Sequence, residues 1–419
     1  MTGIRAICVC ALVLIGLSWM NACVRLGFDY ASLEIDNKPP AKPVLEIASQ
    51  ADWEGREKPS LQQALEDHLY GPVPDTLPTE LLSSRIVDPS FRGGLGILEE
   101  YEIALGEGSE RLIFHLALAR PKQADHPVAL IINQSFCDNR SSFEHSGLTV
   151  SDTARDCSLL ARRGLIPSAI KYIFGAFIGQ VPVEKYLSRG YAYANYAAGD
   201  IAPDAEAKAR PYLEKFPIDA KGKRADGVLA AWAAGYFASL DVVEGDPRFD
   251  PARMAIMGHS RHGKSALIAA AWDSRIKLVL AHQSGTGGAS LSRDNPGESL
   301  KQIIHSYPHW FTPEARLYAD HEERLPFDQH ALLALIAPRQ LFLGNARRDV
   351  WSDPNGTYRA ALAANPVWQQ VYERQGLDQA GMADYQPSGD ISFFLRPGGH
   401  GITRADMEAF LAFLDTRFM

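Results

Sequence analysis

The sequence predicts an α/β fold: a mostly parallel, twisted sheet covered by helices on both faces, in a single domain. Short apolar segments typical of buried strands alternate with helical segments, which is the order of β-α-β units. Because ligands bind beyond the carboxyl ends of parallel strands, we expect the polar or glycine-rich ends of four segments to converge on one site. These four segments are RMAIMGHS, KLVLAHQSG, RQLFLGNA and ISFFLRPGG.

The other elements can be justified in chain order. An apolar stripe predicts a helix from Leu61 to Leu69, after a proline-rich stretch. YEIALG and RLIFHLALAR predict a hairpin around the acidic turn EGSE, and HPVALIINQS and RGYAYANYAAGD predict buried strands. Amphipathic helices are predicted for VLAAWAAGYFASLDVV and for the closing segment RADMEAFLAFLDTRF.

These elements divide the chain into a short lead-in and one large domain. We expect a lead-in with one helix at residues 23–95 and the catalytic domain at residues 96–419. The long segment 290–325 is predicted to be an insertion over the active site.

The composition indicates an ordinary globular protein. Of its 419 residues, 46% are hydrophobic and 22% are charged, and the net charge of -8 argues against nucleic acid as a partner. His305 and His309 have the spacing of a metal-binding pair, but no Glu follows the first and Pro308 interrupts the helix that such a pair needs. We therefore predict no metal site.

The first 22 residues have the features of a secretory signal. Arg5 precedes the apolar run AICVCALVLIGLSWM, which is short for a membrane span, and small residues follow. An uncleaved anchor helix stays open as the alternative. Cys23 follows an imperfect lipoprotein cleavage box, so lipidation at Cys23 and a soluble product both stay open. We expect an exported protein, periplasmic or secreted, that contacts a membrane only if Cys23 is lipidated.

Two further cysteines would lie in the exported chain. Cys137 and Cys157 are 20 residues apart, a spacing compatible with a disulfide in an oxidising compartment. Two buried thiols are the alternative, and the sequence leaves both open.

Ser260 stands where a nucleophile elbow is expected. It follows a predicted strand and precedes a predicted helix, and Gly258 would let the sharp turn pass close to the neighbouring strands. The usual pattern G-x-S-x-G is irregular here, because His262 occupies the second glycine position and Gly263 comes one residue late. On this stretch alone, a serine that caps the helix is an equal alternative.

His400 strengthens the case for a nucleophile. A serine nucleophile needs a base, and in this class of fold the chain order is serine, acid, histidine. His400 follows the last predicted strand in a glycine-rich turn, just before the final helix. We therefore predict that His400 is the base for Ser260.

These segments resemble the bacterial branch of the glucuronoyl esterases, carbohydrate esterase family 15. The resemblance runs from Val183 to the C-terminus and rests on GHSRHGK, HQSGTGG, NPGESLKQIIHSYPHWF, LPFDQHALLALIAPRQL, RDVWSDPNG and RPGGHG. It implies an α/β-hydrolase fold and a serine carboxylesterase that needs no cofactor. The implied substrate is the ester that joins a 4-O-methyl-glucuronic acid branch of glucuronoxylan to a lignin alcohol.

The resemblance also implies the roles of individual residues. Ser260 would be the nucleophile and His400 the base, and Arg261 would stabilise the oxyanion through its backbone N–H and its guanidinium. Lys264, one helical turn after Ser260, would contact sugar hydroxyls.

Three further residues match substrate-contacting positions or lie near them. Glu298 and Trp351 match positions that hold the uronate ring. Trp310 could cover a sugar face in the same way, but core packing is an equal alternative for it.

The acid is less clearly defined by the sequence. Many family members carry a glutamate at the position of Gln283, which can bind an imidazole but cannot stabilise an imidazolium by charge. Asp349 lies just past the next predicted strand, which is the usual acid position in α/β-hydrolases, and we predict that it is the acid. Asp353 is an alternative acid, although the Pro354 that follows it favours an N-cap role.

Two other functions stay open beside the glucuronoyl esterase. An acetyl or general carbohydrate esterase could use the same fold, although Lys264 and Glu298 argue against it. A carbohydrate-binding protein with a decayed triad is suggested by Gln283.

Overall fold

Nine β-strands form one sheet in the computed structural model, which describes residues 40–108, 111–161, 164–218 and 222–419. The predicted signal segment and Cys23 lie outside these residues. The strands are β1 (Thr79–Ser90), β2 (Gly96–Leu105), β3 (Leu112–Pro121), β4 (Val128–Ser135), β5 (Ala192–Ala197), β6 (Phe249–His259), β7 (Leu278–His282), β8 (Gln340–Ala346) and β9 (Ile391–Arg396).

The sheet is mostly parallel, as predicted. Its strand order is β1-β2-β3-β5-β4-β6-β7-β8-β9. The pairs β1-β2, β2-β3 and β3-β5 are antiparallel. The pairs β5-β4, β4-β6, β6-β7, β7-β8 and β8-β9 are parallel. The carboxyl ends of β6, β7, β8 and β9 therefore lie side by side at one edge of the sheet.

Helices connect the strands. Those of eight or more residues in the described part of the chain are α1 (Lys58–Leu65), α2 (Leu165–Phe174), α3 (Glu206–Leu213), α4 (Val228–Val243), α5 (Arg261–Trp272), α6 (Pro354–Pro366) and α7 (Arg404–Phe418). The shorter helical segments are Gln50–Asp52, Trp53–Glu57, Glu66–Tyr70, Phe91–Gly94, Asn139–Ser142, Ser158–Ala161, Val183–Leu187, Ala198–Ile201, Leu300–Ser306, Pro313–Tyr318, Glu322–Arg324, Gln329–Ala334, Val350–Ser352 and Val367–Val371. Across the described ranges, every helix is too short or too polar to cross a bilayer.

Apolar side chains cover both faces of the sheet, which confirms the predicted layer arrangement. On β6, Ile256 packs into a core that includes Trp232 of α4, whereas Met257 packs into the opposite core with Phe410 of α7. Successive side chains of a strand point to opposite faces, so a strand buried on both sides needs apolar residues at consecutive positions. This explains why the parallel strands were visible as continuous apolar runs.

Two elements differ from the sequence prediction. Strand β1 lies inside the segment 23–95, where only a lead-in and a helix were predicted. It pairs with β2 at the edge of the sheet, and most of its residues are exposed or half-buried, so it lacks a strand-like apolar pattern. Helix α4 was predicted to be amphipathic, but it is buried on nearly all sides because it packs against the sheet and α5 together.

A disulfide joins Cys137 and Cys157, with 5.5 Å between their Cα atoms. Of the two alternatives that the sequence left open, the structure has the bonded one. The bond ties the loop after β4 to the segment that leads into α2, so it fixes one wall of the cavity described below.

Candidate active site

Ser260 lies at a strained turn between β6 and α5. Its backbone angles are φ 58° and ψ -125°, a conformation that costs a non-glycine residue on the order of 1–3 kcal/mol. The turn is so tight that a Cβ atom at Gly258 would lie 2.1 Å from the carbonyl oxygen of His262. These features agree with the elbow geometry that exposes a hydroxyl at the end of a strand.

His400 lies on the loop between β9 and α7 and contacts a buried carboxylate. Its Nδ1 lies 2.7 Å from Oδ2 of Asp349, and Ser352 Oγ lies 3.4 Å from the same nitrogen. A carboxylate can only accept, so the imidazole must carry a proton on Nδ1, which leaves Nε2 as the basic nitrogen.

Asp349 remains ionised although it is fully buried. Burial alone would raise its pKa, but the charge and hydrogen bond of His400, together with hydrogen bonds from Ser352, hold that pKa below its usual value. Asp349 can therefore orient the imidazole of His400 and stabilise its protonated form.

Asp353, the alternative acid, is used elsewhere. Its carboxylate accepts hydrogen bonds from the backbone N–H of Gly356 at 2.9 Å and from Ser290 Oγ at 3.1 Å. It is the N-cap of α6, as the following proline suggested. Within the described part of the chain, the carboxylate that contacts His400 is therefore that of Asp349.

Gln283, the other alternative, contacts the backbone beside His400 rather than the imidazole. Its Oε1 accepts from the N–H of Gly401 at 2.8 Å, and its Nε2 donates to the carbonyl of Gly399 at 3.3 Å. Gln283 is buried in a left-handed conformation with φ 49°. The amide therefore holds both peptide groups that flank His400.

Ser260 and His400 line one cavity of about 400 Å³. No hydrogen bond between the Ser260 hydroxyl and His400 is present within the described ranges. Contacts of this kind are often long in a ligand-free site and tighten when substrate binds. The cavity also has an apolar wall, formed by Phe136, Leu159, Leu160, Ile170, Phe174 and Ile178.

The guanidinium of Arg261 is held by Asp204, an acid that was not predicted from the sequence, and both residues line the cavity that Ser260 lines. Arg261 forms an ion pair with Asp204, and its guanidinium carbon lies 4.7 Å from the ring centroid of Trp310. Asp204 also accepts from Trp310 Nε1 at 2.8 Å and lies 3.1 Å from His309 Nε2. Burial would raise the pKa of Asp204, but His309, Arg261 and Trp310 together lower it strongly. Asp204 shortly follows the predicted strand segment that ends in Gly199 and Asp200, and this place after a strand could have marked it as a candidate site residue.

Lys264 and Glu298 are buried close to each other. Burial lowers the pKa of Lys264 and raises that of Glu298, and each charge partly offsets the shift of the other. The ammonium group of Lys264 donates to the backbone carbonyls of Ser284 and Thr286. Trp351 is half-buried and hydrogen-bonds Glu298. The structure thus brings these three predicted substrate residues together.

Trp310 lies in the core, which is the second of the two roles left open for it. It is only 3% exposed and stacks on Tyr307, with 3.9 Å between ring centroids and 7° between ring planes. With Tyr307 over one face and its indole N–H on Asp204, Trp310 supports Arg261 rather than offering a free face to a sugar. Both aromatic residues belong to the segment predicted to lie over the site.

This arrangement suits acyl transfer to a serine. It combines a hydroxyl at a strand-to-helix turn, an imidazole held by an ionised carboxylate, and a cationic side chain that lines the same cavity. Three further buried residues near this site were not predicted from the sequence: His259, His282 and Asp406. His259 was within the quoted elbow, but its contacts with distant residues left no pattern in the sequence.

Comparisons with known proteins agree with this geometry. A family model described as glucuronyl esterase, fungi, matches residues 148–371. A carbohydrate esterase from an unknown prokaryotic organism is 31% identical over 402 residues, which cover 93% of this chain and 92% of the relative. A 4-O-methyl-glucuronoyl methylesterase of Podospora anserina is 30% identical over 263 residues, covering 60% of this chain and 52% of the relative.

Solved structures are similar over nearly the whole chain. One is a promiscuous CE15 esterase from a marine bacterial metagenome, with 30% identity and a TM-score of 0.79, covering 93% of this chain and 100% of the other. Another is a glucuronoyl esterase from Solibacter usitatus, with 27% identity and a TM-score of 0.74, covering 95% of this chain and 100% of the other. These findings confirm the family resemblance and the α/β-hydrolase fold inferred from the sequence.

Proposed function

Because the chain belongs to the glucuronoyl esterase family, a family of carboxylic ester hydrolases, we propose that it hydrolyses glucuronoyl and 4-O-methyl-glucuronoyl esters through an acyl-enzyme on Ser260. The substrate class is that of lignin–carbohydrate linkages on glucuronoxylan. The main support is the 2.7 Å contact between His400 and the buried Asp349, beside a cavity that Ser260 also lines.

In the first half of the proposed reaction, His400 Nε2 takes the hydroxyl proton of Ser260 as its Oγ attacks the ester carbonyl carbon. The carbonyl π electrons move to oxygen and form a tetrahedral oxyanion. When the oxyanion collapses, the bond to the alcohol oxygen breaks and His400 donates its proton to that oxygen. Asp349 stabilises the imidazolium throughout without accepting its proton.

In the second half, a water molecule attacks the acyl-enzyme carbonyl while His400 takes one of its protons. The bond to Ser260 Oγ then breaks, and the proton returns to that oxygen. The products are the free uronic acid and the regenerated serine. No other reactant is required.

Arg261 is proposed to stabilise the oxyanion through its backbone N–H and its guanidinium. The backbone N–H is at the start of α5, where it is not needed by the helix. The guanidinium is held by Asp204 and by the rings of Tyr307 and Trp310, and Arg261 lines the same cavity as Ser260. A fixed donor of this kind contributes about 10²-fold or more to the rate.

The two sides of the ester are proposed to contact chemically different groups of residues. Lys264, Glu298 and Trp351 would bind the uronate ring, since a lysine, a carboxylate and an indole suit hydroxyl groups and a sugar face. The apolar wall that includes Leu160 and Phe174 would contact the alcohol side.

We also propose that the protein is exported and that it acts in the periplasm or outside the cell. The apolar N-terminal run and the disulfide between Cys137 and Cys157 support this proposal. Metabolic labelling with a fatty-acid analogue, with Cys23→Ala as the control, would test whether Cys23 is lipidated.

The function can be tested by the hydrolysis of benzyl and methyl glucuronate and of p-nitrophenyl acetate, with Ser260→Ala as the control. We expect the glucuronate esters to have the larger kcat/KM and the variant to lose about 10⁴-fold or more. Turnover of the acetate alone would instead favour a general carbohydrate esterase, which is the second candidate because one structural relative is described as promiscuous.

A further inference from the structure

A buried network of two imidazoles and a carboxylate lies behind His400, the proposed base. His259 Nδ1 lies 2.9 Å from His282 Nδ1, and His282 Nε2 lies 3.0 Å from Asp406 Oδ1. His282 and Asp406 are almost fully buried, and His259 is 9% exposed. Nothing in the proposed acyl transfer uses these three side chains.

The proton positions in this network follow from the hydrogen bonds of Asp406. The other oxygen of Asp406 accepts from Arg396 Nε at 2.6 Å and from the backbone N–H of Thr403 at 2.7 Å. Burial would raise the pKa of Asp406, but His282 and Arg396 hold it at about 2. The ionised carboxylate can only accept, so His282 must donate from Nε2 and accept at Nδ1. His259 must then donate from Nδ1.

His259 and His282 are both neutral in this arrangement. Burial lowers the pKa of each ring, and the positive charge available on Arg396 and on His400 lowers that of His259 further. A neutral His259 can lie against His400 without repelling its protonated form.

This network, together with Arg396, contacts His400 and its loop at two points. The ring of His259 lies against that of His400, with 4.7 Å between centroids and 44° between planes. At the other end of the network, Arg396 Nη2 donates to the carbonyl of Gly401, the residue after His400, at 2.6 Å. The same network therefore holds both the ring and the loop that carries it.

We propose that His259 is a positioning residue for His400, and that His282, Asp406 and Arg396 hold His259 in place. The need for such support follows from the loop, in which glycines flank His400 and leave its backbone little intrinsic stiffness. Asp349 fixes Nδ1 of the imidazole, and His259 limits the tilt of the ring toward the interior. The inference rests on the proposed function, because it takes His400 as the base.

The variant His259→Asn tests this role. The Asn amide can replace Nδ1–H as the donor to His282, so the network keeps its hydrogen bonds while the ring beside His400 is lost. We expect kcat for benzyl glucuronate to fall at least about tenfold with KM within about twofold of the wild type. The rate at which a fluorophosphonate labels Ser260 should fall in parallel. His305→Asn, at an exposed position, is the matched control.

The outcomes separate the two proposals. Wild-type rates of turnover and labelling in a folded His259→Asn protein would overturn the positioning role alone. A wild type that neither labels at Ser260 nor hydrolyses esters would overturn the proposed function and the positioning role together.

A measurement on the wild-type protein covers the case in which the variant does not fold. In ¹⁵N-histidine NMR spectra near neutral pH, we expect the Nε2–H tautomer for His282 and the Nδ1–H tautomer for His259. Observation of His259 as the Nε2–H tautomer would contradict the hydrogen bond from His259 to His282 and, with it, the proposed support for His400.

Discussion

At the scale of single residues, Gln283 shows how an amide can serve where a carboxylate was expected. The sequence suggested a weak substitute for an acid, because a glutamine cannot stabilise an imidazolium by charge. The structure gives it two simultaneous contacts, one as acceptor from Gly401 and one as donor to Gly399. A carboxylate of the same shape could make only the first of them.

We predict that Gln283→Glu lowers activity rather than raising it. The variant would bury a charge and leave the carbonyl of Gly399 facing a carboxylate oxygen, which displaces the loop that carries His400. We expect kcat for benzyl glucuronate to fall about tenfold or more, measured by steady-state kinetics. In the double variant with Asp349→Asn, we expect no recovery of activity. If Glu at position 283 restored activity in that background, position 283 would be a working acid site.

The choice between two nearby aspartates yields a matched pair of variants. Asp349→Asn should reduce kcat about 10³- to 10⁴-fold, because the imidazolium loses its charged partner and the amide favours the wrong tautomer. Asp353→Asn should retain most of the activity, since Asn is also a good N-cap and Asp353 lies at the start of α6. Steady-state kinetics on benzyl glucuronate would check both, and the reverse ranking would assign the acid to Asp353.

Sequence reasoning reached some of the site residues and missed others for one physical reason. Ser260, His400 and Asp349 follow strands in chain order, so a local pattern marks each position. Asp204 and His259 matter through partners distant in the sequence, His309 and His282 respectively, and no local pattern marks such contacts.

At the scale of elements, the turn between β6 and α5 sets the backbone geometry of Ser260, the proposed nucleophile. The turn forces Ser260 to a positive φ and brings the backbone of residue 258 against that of residue 262. His262 is tolerated at the second glycine position of the motif because the closest backbone contact of the turn is at Gly258. A Cβ at Gly263, by contrast, would approach its nearest atom only to 3.0 Å.

We predict that Gly258→Ala damages this turn. Its Cβ would lie 2.1 Å from the His262 carbonyl oxygen, and rigid backbone cannot move aside cheaply. We expect a loss of about 2 kcal/mol or more in unfolding free energy, measured by urea denaturation, and loss of Ser260 labelling. Gly55→Ala, where nothing lies within 4 Å of the added Cβ, is the control and should be neutral or stabilising. Similar stability for both variants would contradict this description of the elbow.

The parallel strands were predictable, but the antiparallel edge was only partly so. The part of β6 from Met254 to Met257 and most of β7, β8 and β9 are buried on both faces, so these segments consist mainly of consecutive apolar residues. Strand β1 has an exposed, polar edge, so its residues were indistinguishable from an irregular lead-in. The sequence of α4 gave its length correctly but not its burial, which depends on how the layers around it pack.

At the scale of the whole molecule, buried charges join elements that are far apart in the chain. Asp406 of α7 contacts His282 at the end of β7 and Arg396 at the end of β9. The network therefore couples the stability of the fold to the loop that carries His400.

The pH dependence of stability should report this coupling. Asp406 has a folded-state pKa of about 2 against a usual 3.8, so its ionisation stabilises the fold above pH 3.8. That contribution is lost as the pH falls toward 2. Chemical denaturation at several pH values should give a wild-type stability advantage over Asp406→Asn that shrinks by about 2 kcal/mol over this range. A difference that does not change with pH would contradict the ionised state of Asp406.

The proposed mechanism requires that Ser260 forms a covalent glucuronoyl intermediate in the cavity it shares with His400. Rapid acid quenching of the enzyme with benzyl glucuronate, followed by peptide mass spectrometry, tests it most directly. We expect a glucuronoyl adduct on the peptide that contains Ser260, formed together with benzyl alcohol and absent in Ser260→Ala. Undiminished hydrolysis by Ser260→Ala, or an adduct on another residue, would contradict it.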